Sequence, residues 1–276
     1  MTLWEWAVAI ILGVVEGLTE FAPISSTGHM IIVDDLWLKS AELLRSTQIA
    51  NTFKIVIQLG SILAVVVLFR ERFARLLNVK NNPLITKGKT LTLGHIGTGL
   101  LPAIVLGFLF EDFIDKHLFS IETVIIGLIA GSFLMIAADF AGKRKPAAIG
   151  LDEISYPKAF LIGLFQCIAL WPGFSRSGST ISGGVILGLN HRAAADFTFI
   201  MAVPIMLGAS ILSLIKHADS FSMDFLPFFI TGFVTAFIFA LLSIQFFLIV
   251  ISKIKLVPFA IYRLVLAAVL IVVLYF

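Results

Sequence analysis

Glu16-Gly17-Leu18-Thr19-Glu20-Phe21-Ala22-Pro23-Ile24-Ser25-Ser26-Thr27-Gly28-His29 interrupts an otherwise apolar region, 3–36. Two acids, a proline and a run of hydroxyls stand where a hydrophobic helix would otherwise continue. The apolar arms beside this break have about ten to sixteen residues. At 1.5 Å per residue such arms fall short of the roughly 30 Å hydrocarbon core of a bilayer. Two arms that enter, break and return fit the arithmetic, which predicts a re-entrant helical hairpin. Non-helical backbone at membrane depth is tolerated where protein buries it or where it lines a cavity. Region 158–189 repeats the plan, with Pro172-Gly173 and Ser175-Arg176-Ser177-Gly178-Ser179-Thr180 between two apolar arms.

Working outward, the chain has 276 residues, 59% hydrophobic and 13% charged. A soluble domain is about 45–50% apolar and about 25% charged. The mean hydropathy of +1.05 agrees with the excess. A single soluble domain could not bury this much apolar surface, so the chain is read as a polytopic membrane protein. A disordered chain, a disulfide scaffold and a nucleic-acid binder are excluded by the same composition. The single cysteine, Cys167, allows no intrachain disulfide. No basic region precedes the first apolar run, the first lysine being Lys39, so Met1 onward is read as mature protein.

Besides the two broken regions, six stretches have the length of a span: 51–69, 92–110, 121–138, 197–215, 225–250 and 256–276. Thirteen of the 20 Lys and Arg fall on one predicted side: Arg70, Arg72, Arg75, Lys80, Lys87, Lys89, Lys143, Arg144, Lys145, Lys158, Arg192, Lys253 and Lys255. Five fall on the other (Lys39, Arg45, Lys54, Lys116, Lys216) and two, Arg176 and Arg263, at depth. By the positive-inside rule the first group is cytoplasmic, and both termini are outside.

Sliding the chain by 150 residues superposes Gly13 on Gly163, Glu16 on Gln166, Ser25 on Ser175 and Gly28 on Gly178. Each half is then one hairpin followed by three spans, and an odd number of crossings inverts the second half. The expected fold is all-α: six transmembrane helices and two re-entrant hairpins in an inverted-topology repeat. It forms one membrane domain over 1–276, with halves 1–140 and 150–276. Inverted repeats with broken helices at the midplane are a transporter architecture.

Polar groups at membrane depth are expensive and mark function by default. Glu16 and Glu20, four residues apart, share a helix face near a half-helix C-terminus, where the dipole disfavours negative charge. A hard divalent cation, Mg²⁺ or Ca²⁺, suits two such carboxylates. Ser25, Ser26 and Thr27 stand where the returning half-helix starts; there they serve as caps, or frame an anion site of free N–H groups. His29 lies three residues after Ser26 and can face it as proton shuttle, general base or nucleophile. Arg176 offers a fork that fits phosphate, or a salt bridge to Glu16 or Glu20. Together these groups suit a phosphate or diphosphate carried on a lipid. Elsewhere, Gln58, His95 and Gln245 are read as hydrogen-bonding within the bundle, and Arg263 as snorkelling to the cytoplasm or pairing inside.

The segments Glu16 to His29 and Pro172-Gly173-Phe174-Ser175-Arg176-Ser177-Gly178-Ser179-Thr180, with Ile57-Gln58-Leu59-Gly60 and the span pattern, resemble the bacterial undecaprenyl-diphosphate phosphatase family. This is also called the bacitracin-resistance protein family. The resemblance implies hydrolysis of undecaprenyl diphosphate to undecaprenyl phosphate and inorganic phosphate, which recycles the lipid carrier of peptidoglycan synthesis. It implies a divalent metal, residence in the bacterial plasma membrane and a site open to the outer face, and is compatible with a homodimer. Carried over, Glu16 and Glu20 are the motif acids and metal ligands. Ser26 and His29 are the nucleophile and proton-transfer pair, and Arg176 is the phosphate clamp. Ser25, Thr27, Gly28, Ser175, Ser177, Gly178 and Thr180 line the substrate. The inverted repeat taken alone would favour a rival reading, a lipid-phosphate flippase or an ion-coupled transporter.

Overall fold

The structure is a computed structural model that describes residues 2–77, 90–118, 120–142, 149–216 and 223–275. Among the described residues it is all-helical, without a β-strand. In chain order the helices are α1 (Leu3–Thr19), α2 (Ser26–Met30), α3 (Ser40–Leu43), α4 (Thr47–Leu68), α5 (Arg70–Leu77), α6 (Leu93–His117) and α7 (Ile121–Gly142). The second half follows with α8 (Tyr156–Ile168), α9 (Arg176–Ile186), α10 (His191–Lys216), α11 (Leu226–Ile254) and α12 (Val257–Tyr275). Six helices, α4, α6, α7, α10, α11 and α12, are long and apolar enough to cross a membrane. They are the six that hydropathy selects, moved or extended by a few residues. The protein is a multi-pass membrane protein. Of the charges used for orientation, Lys80, Lys87, Lys89, Lys143, Arg144 and Lys145 lie outside the described residues.

The two broken regions hold α1, α2, α8 and α9. α1 opens with a capping box: Glu5 N–H donates to Thr2 Oγ1 (3.2 Å) and Thr2 N–H to the Glu5 carboxylate (2.8 Å). It ends at Thr19, after 17 residues. α8 has 13 residues, about 20 Å of helix, too short to cross alone. The return from the first break is not a simple half-helix: α2 has five residues and continues as a π-helix, Ile31–Leu38. That segment is pinned by buried Asp34, which accepts from Ser40 N–H and Oγ (both 2.9 Å) and pairs with Lys54 (2.8 Å). Lys54, placed from sequence on the side opposite the cytoplasmic group at the start of the 51–69 span, lies in the second turn of α4.

The halves interlock. α1 lies along α11, and α8 along α6. A methyl group on Gly13 would sit 2.6 Å from the Gly232 carbonyl oxygen, and one on Gly163 would overlap that of Gly99. Gly163→Ala should therefore push α8 off α6 and cost about 1–3 kcal/mol, read as a lower Tm in detergent. Gly97→Ala, where a methyl group meets nothing within 4 Å, is the control. An unchanged Tm for Gly163→Ala would refute the close approach.

α7 and α12 pack as a pair that supports both breaks. Asp139, near the end of α7, accepts the N–H groups of Leu256 and Val257 (2.9 Å each) and bonds His191 Nε2 (2.7 Å), which joins α7, α10 and α12. Outside the spans, Asp152 anchors the segment before α8. Arg72 donates to it twice (2.8 and 3.0 Å), Leu91 N–H at 3.1 Å and the Thr90 hydroxyl at 3.2 Å. Partial burial works to raise its pKa, but the Arg72 fork and the other donors outweigh this and hold it below the usual value. A depressed folded-state pKa stabilises the fold above the unfolded value, and the contribution disappears as pH falls through the folded one. The Tm gap between wild type and Asp152→Asn should thus be present at neutral pH and close below about pH 4. A gap that widens with acid would contradict this sign.

Candidate active site

Both breaks use the same local device. Ser25 and Ser175, the residues before α2 and α9, each have φ 70°. This region is costly for a residue with a Cβ, about 1–3 kcal/mol, and such strain concentrates at functional sites. Each side chain caps the helix it precedes: Ser25 Oγ accepts from Gly28 N–H (3.4 Å) and Ser175 Oγ from Gly178 N–H (3.1 Å). Gly173 supplies the left-handed step before the second cap, at φ 89°.

The breaks meet face to face. Ser177 Oγ donates to the Ala22 carbonyl (3.1 Å), a bond between halves. Above it, Glu20 holds one group with each carboxylate oxygen. Ser26 Oγ donates to Oε2 at 2.7 Å, and Arg176 Nη2 donates to Oε1 at 2.9 Å. The result is a hydroxyl–carboxylate–guanidinium string across the junction. The Arg176 guanidinium also lies over the Phe21 ring, 5.8 Å from its centroid. Arg176 Nη1 is buried without a hydrogen-bond partner, and so is Glu16 Oε1. A buried donor and a buried acceptor left over within one junction are the groups a ligand would satisfy.

The string opens onto a cavity of about 470 Å³. Glu20, Ser25, Ser26, Thr27, Ser175 and Arg176 form its polar floor, with Gln58 and Gln166 beside them. Ala103, Gly107, Ile205, Met206 and Ala209 of α6 and α10 form apolar walls, and Glu111 and Ile114 lie on its rim. Trp171, also lining it, is fixed by its indole N–H to the Thr123 carbonyl (2.9 Å). A charged end and an apolar remainder suit an amphiphile.

Other residues expected at the site stand behind this lining. Gly28 packs against Leu128 and Leu266. Gly178 is covered by Ser175, and Thr180 Oγ1 accepts from Thr198 Oγ1 (2.9 Å) in the buried core. His29 does not meet Ser26. Its Nδ1 bonds the Ser25 carbonyl (2.8 Å) and its Nε2 the Tyr262 hydroxyl (2.7 Å). A carbonyl only accepts, so Nδ1 carries the proton. Three-residue spacing puts Ser26 and His29 on one face, but the i−4 carbonyl of Ser25 and the α12 tyrosine take both ring nitrogens. Tyr262 was not read from the sequence, since nothing local marks a tyrosine 233 positions away. Gln166 was signalled only through its alignment with Glu16.

A family model described as Bacitracin resistance protein BacA matches residues 9–269. The chain belongs to this family. It is 65% identical to "Undecaprenyl-diphosphatase" of Bacillus subtilis (strain 168) over 277 residues, 99% of each chain. It is 63% identical to the protein of that name from Exiguobacterium sibiricum over 278 residues, 100% of each. It is also 63% identical to "Undecaprenyl-diphosphatase 2" of Bacillus licheniformis over 274 residues, 98% of each. The Bacitracin resistance protein match runs through both breaks and on into α12, so it includes every residue of the junction.

The donor set of this family member bears on a metal. Among the described residues no three His, Cys, Asp or Glu side chains form a cage. The partnerless Glu16 Oε1 with the neighbouring Glu20 nevertheless fits a hard cation that keeps water and substrate oxygens as its other ligands, as Mg²⁺ commonly does.

Proposed function

We propose that this protein is an integral-membrane phosphatase that hydrolyses undecaprenyl diphosphate to undecaprenyl phosphate and inorganic phosphate. The observation that carries the mechanism is the Ser26–Glu20–Arg176 string at the floor of a cavity with apolar walls. The diphosphate enters with its terminal phosphoryl group over Ser26 and its polyprenyl chain along α6 and α10. Arg176 keeps Nη2 on Glu20 and turns the free Nη1 to a phosphoryl oxygen. The first N–H groups of α9 add fixed positive potential.

Ser26 Oγ attacks the terminal phosphorus as Glu20 Oε2 takes its proton. The bond from phosphorus to the bridging oxygen breaks, and undecaprenyl phosphate leaves with that electron pair, its oxygen taking the proton from Glu20, which is a carboxylate again. Water, deprotonated by the carboxylate in its turn, then attacks the phosphoserine; inorganic phosphate departs and Ser26 recovers its proton. Glu16 and Glu20 would hold a divalent ion, Mg²⁺ or Ca²⁺, which when bound supplies neutralising charge at the phosphoryl oxygens. His29, tied to Ser25 and Tyr262, holds the start of α2 and so the aim of Ser26.

The cytoplasmic assignment of Arg70, Arg72, Arg75, Lys253 and Lys255 puts the cavity rim, at the far end of α6, on the outer side of the bacterial plasma membrane. The two breaks are then re-entrant hairpins, and the halves are inverted copies. All groups named come from one chain, so turnover is expected of each protomer in any homodimer.

The test is phosphate release by the purified protein from undecaprenyl diphosphate, with and without chelator. Release that chelator abolishes and Mg²⁺ or Ca²⁺ restores is expected. No release from protein that still binds the lipid would refute the phosphatase and favour a carrier; release indifferent to chelator would remove the metal. Thiol labelling of Lys80→Cys and Lys116→Cys in a cysteine-free background should mark opposite sides of sealed vesicles, and labelling from one side would break the orientation.

A further inference from the structure

Arg263 of α12 is the largest side chain without solvent exposure among the described residues. Its bonds contain no acid. Nη2 donates to the carbonyls of Gly173 (2.9 Å), Gly127 (3.1 Å) and Leu128 (3.1 Å), and Nη1 to Met135 Sδ (3.4 Å). A buried guanidinium paired only with neutral acceptors is costly. A bundle that needed only packing at this point would hold an apolar side chain.

The three elements around the group show what it does. Gly127 and Leu128 belong to α7. Gly173 belongs to the second break, two residues before the strained Ser175 and three before Arg176, and its carbonyl lies outside any helix. An unsatisfied carbonyl at membrane depth would pull that loop apart. A methyl group on Gly131 would sit 2.5 Å from Arg263 Nη2 and 2.7 Å from the Phe174 carbonyl oxygen. One on Gly178 would sit 3.0 Å from Nη1, so the guanidinium underlies the first turn of α9. The glycines clear the space that one arginine fills between α7, the break and α9.

The charge has a second consequence. A cation beneath the N-terminal end of α9 faces the positive end of that helix dipole, an unfavourable contact on its own. It becomes favourable once an anion lies on the far side of the same turn. Arg263 does not line the cavity.

We propose that Arg263 is a positioning residue for the reaction: it locks the Gly173–Arg176 backbone so that Arg176 meets the terminal phosphoryl group, and it adds positive potential behind α9. This rests on the phosphatase reading, which wild-type turnover in the same assay tests separately. Arg263→Gln keeps amide donors without charge, and Arg263→Lys keeps charge without the fork. In folded Arg263→Gln, kcat should fall about 100-fold, the loss typical of a reacting group misplaced by about 1 Å. KM should rise by a smaller factor than kcat falls, because alignment is lost outright while the potential behind α9 is only part of what holds the anion. Amide hydrogen exchange over 169–180 should quicken while the spans stay protected. Arg263→Lys should lose less than Arg263→Gln. If wild type turns over and folded Arg263→Gln matches its kcat with unaltered exchange at 169–180, the proposal fails. If Arg263→Gln does not fold, Arg263→Lys decides on the same two readings. Failure of both to fold would make Arg263 a determinant of the fold alone and would also overturn the proposal.

Discussion

Glu20→Gln is expected to lower kcat by about 10³-fold, within the 10²–10⁴ range attributed to a positioned general base. Gln has the same shape and still offers an oxygen to Ser26 or to Arg176, so the junction can close. It cannot take the Ser26 proton at neutral pH. It also removes the negative charge that Arg176 Nη2 meets at 2.9 Å. Ser26→Ala should go further, to background, because the attacking atom itself is lost. The two variants also separate the chemical routes. Acid quenching during turnover should trap phosphate on Ser26 in wild type and none in Ser26→Ala. Turnover by Ser26→Ala near the wild-type rate would end the serine mechanism and pass the attack to water or to His29. A phosphohistidine at position 29 would require Nε2 to leave the Tyr262 hydroxyl, which it meets at 2.7 Å.

Arg176→Lys is the second large effect: kcat/KM should fall about 10²–10³-fold in steady-state assays, although the charge is kept. Arg176 meets Glu20 through Nη2 and keeps Nη1 for the ligand. A planar fork can do both at once, whereas an ammonium group is a point donor on a flexible stem. Arg176→Met should in addition destabilise by about 3–5 kcal/mol, because breaking a buried pair from one side leaves an uncompensated charge. The double variant Glu20→Gln/Arg176→Met should recover much of that loss in thermal unfolding while staying inactive. If Arg176→Met melts like wild type, the pair carries no such buried charge and the string is weaker than its distances suggest.

Particular residues show how far one-dimensional reading reaches. The six spans are legible because hydropathy is summed along the chain and needs no partner. The breaks are legible because Glu16, Glu20 and the hydroxyl run are local anomalies in apolar text, and the family resemblance rests on those same segments. Arg176 was read as a phosphate clamp or a partner of Glu16 or Glu20, and the structure pairs it with Glu20. His29 was read as facing Ser26, and spacing alone supports that. What turns it away is the Ser25 carbonyl four residues back and Tyr262 in the last helix. Glycine patterns were also under-read: Gly13 and Gly163 aligned as repeat marks, but their role is to let α1 and α8 close on helices from the other half.

By itself the sequence determined membrane residence, the number of long spans, the places where two helices break and the residue types gathered there. Each of these is set by neighbours within a turn or two, through hydropathy, helix capping and the cost of a polar group in hydrocarbon. Only the tertiary structure decided which hydroxyl meets which acid, that the second carboxylate oxygen of Glu20 takes an arginine 156 residues away, and that Arg263 is held by three backbone carbonyls. Those choices depend on how the halves interlock. Hydrogen-bond partners at membrane depth are set by which elements the packing brings together, and no local pattern encodes that meeting.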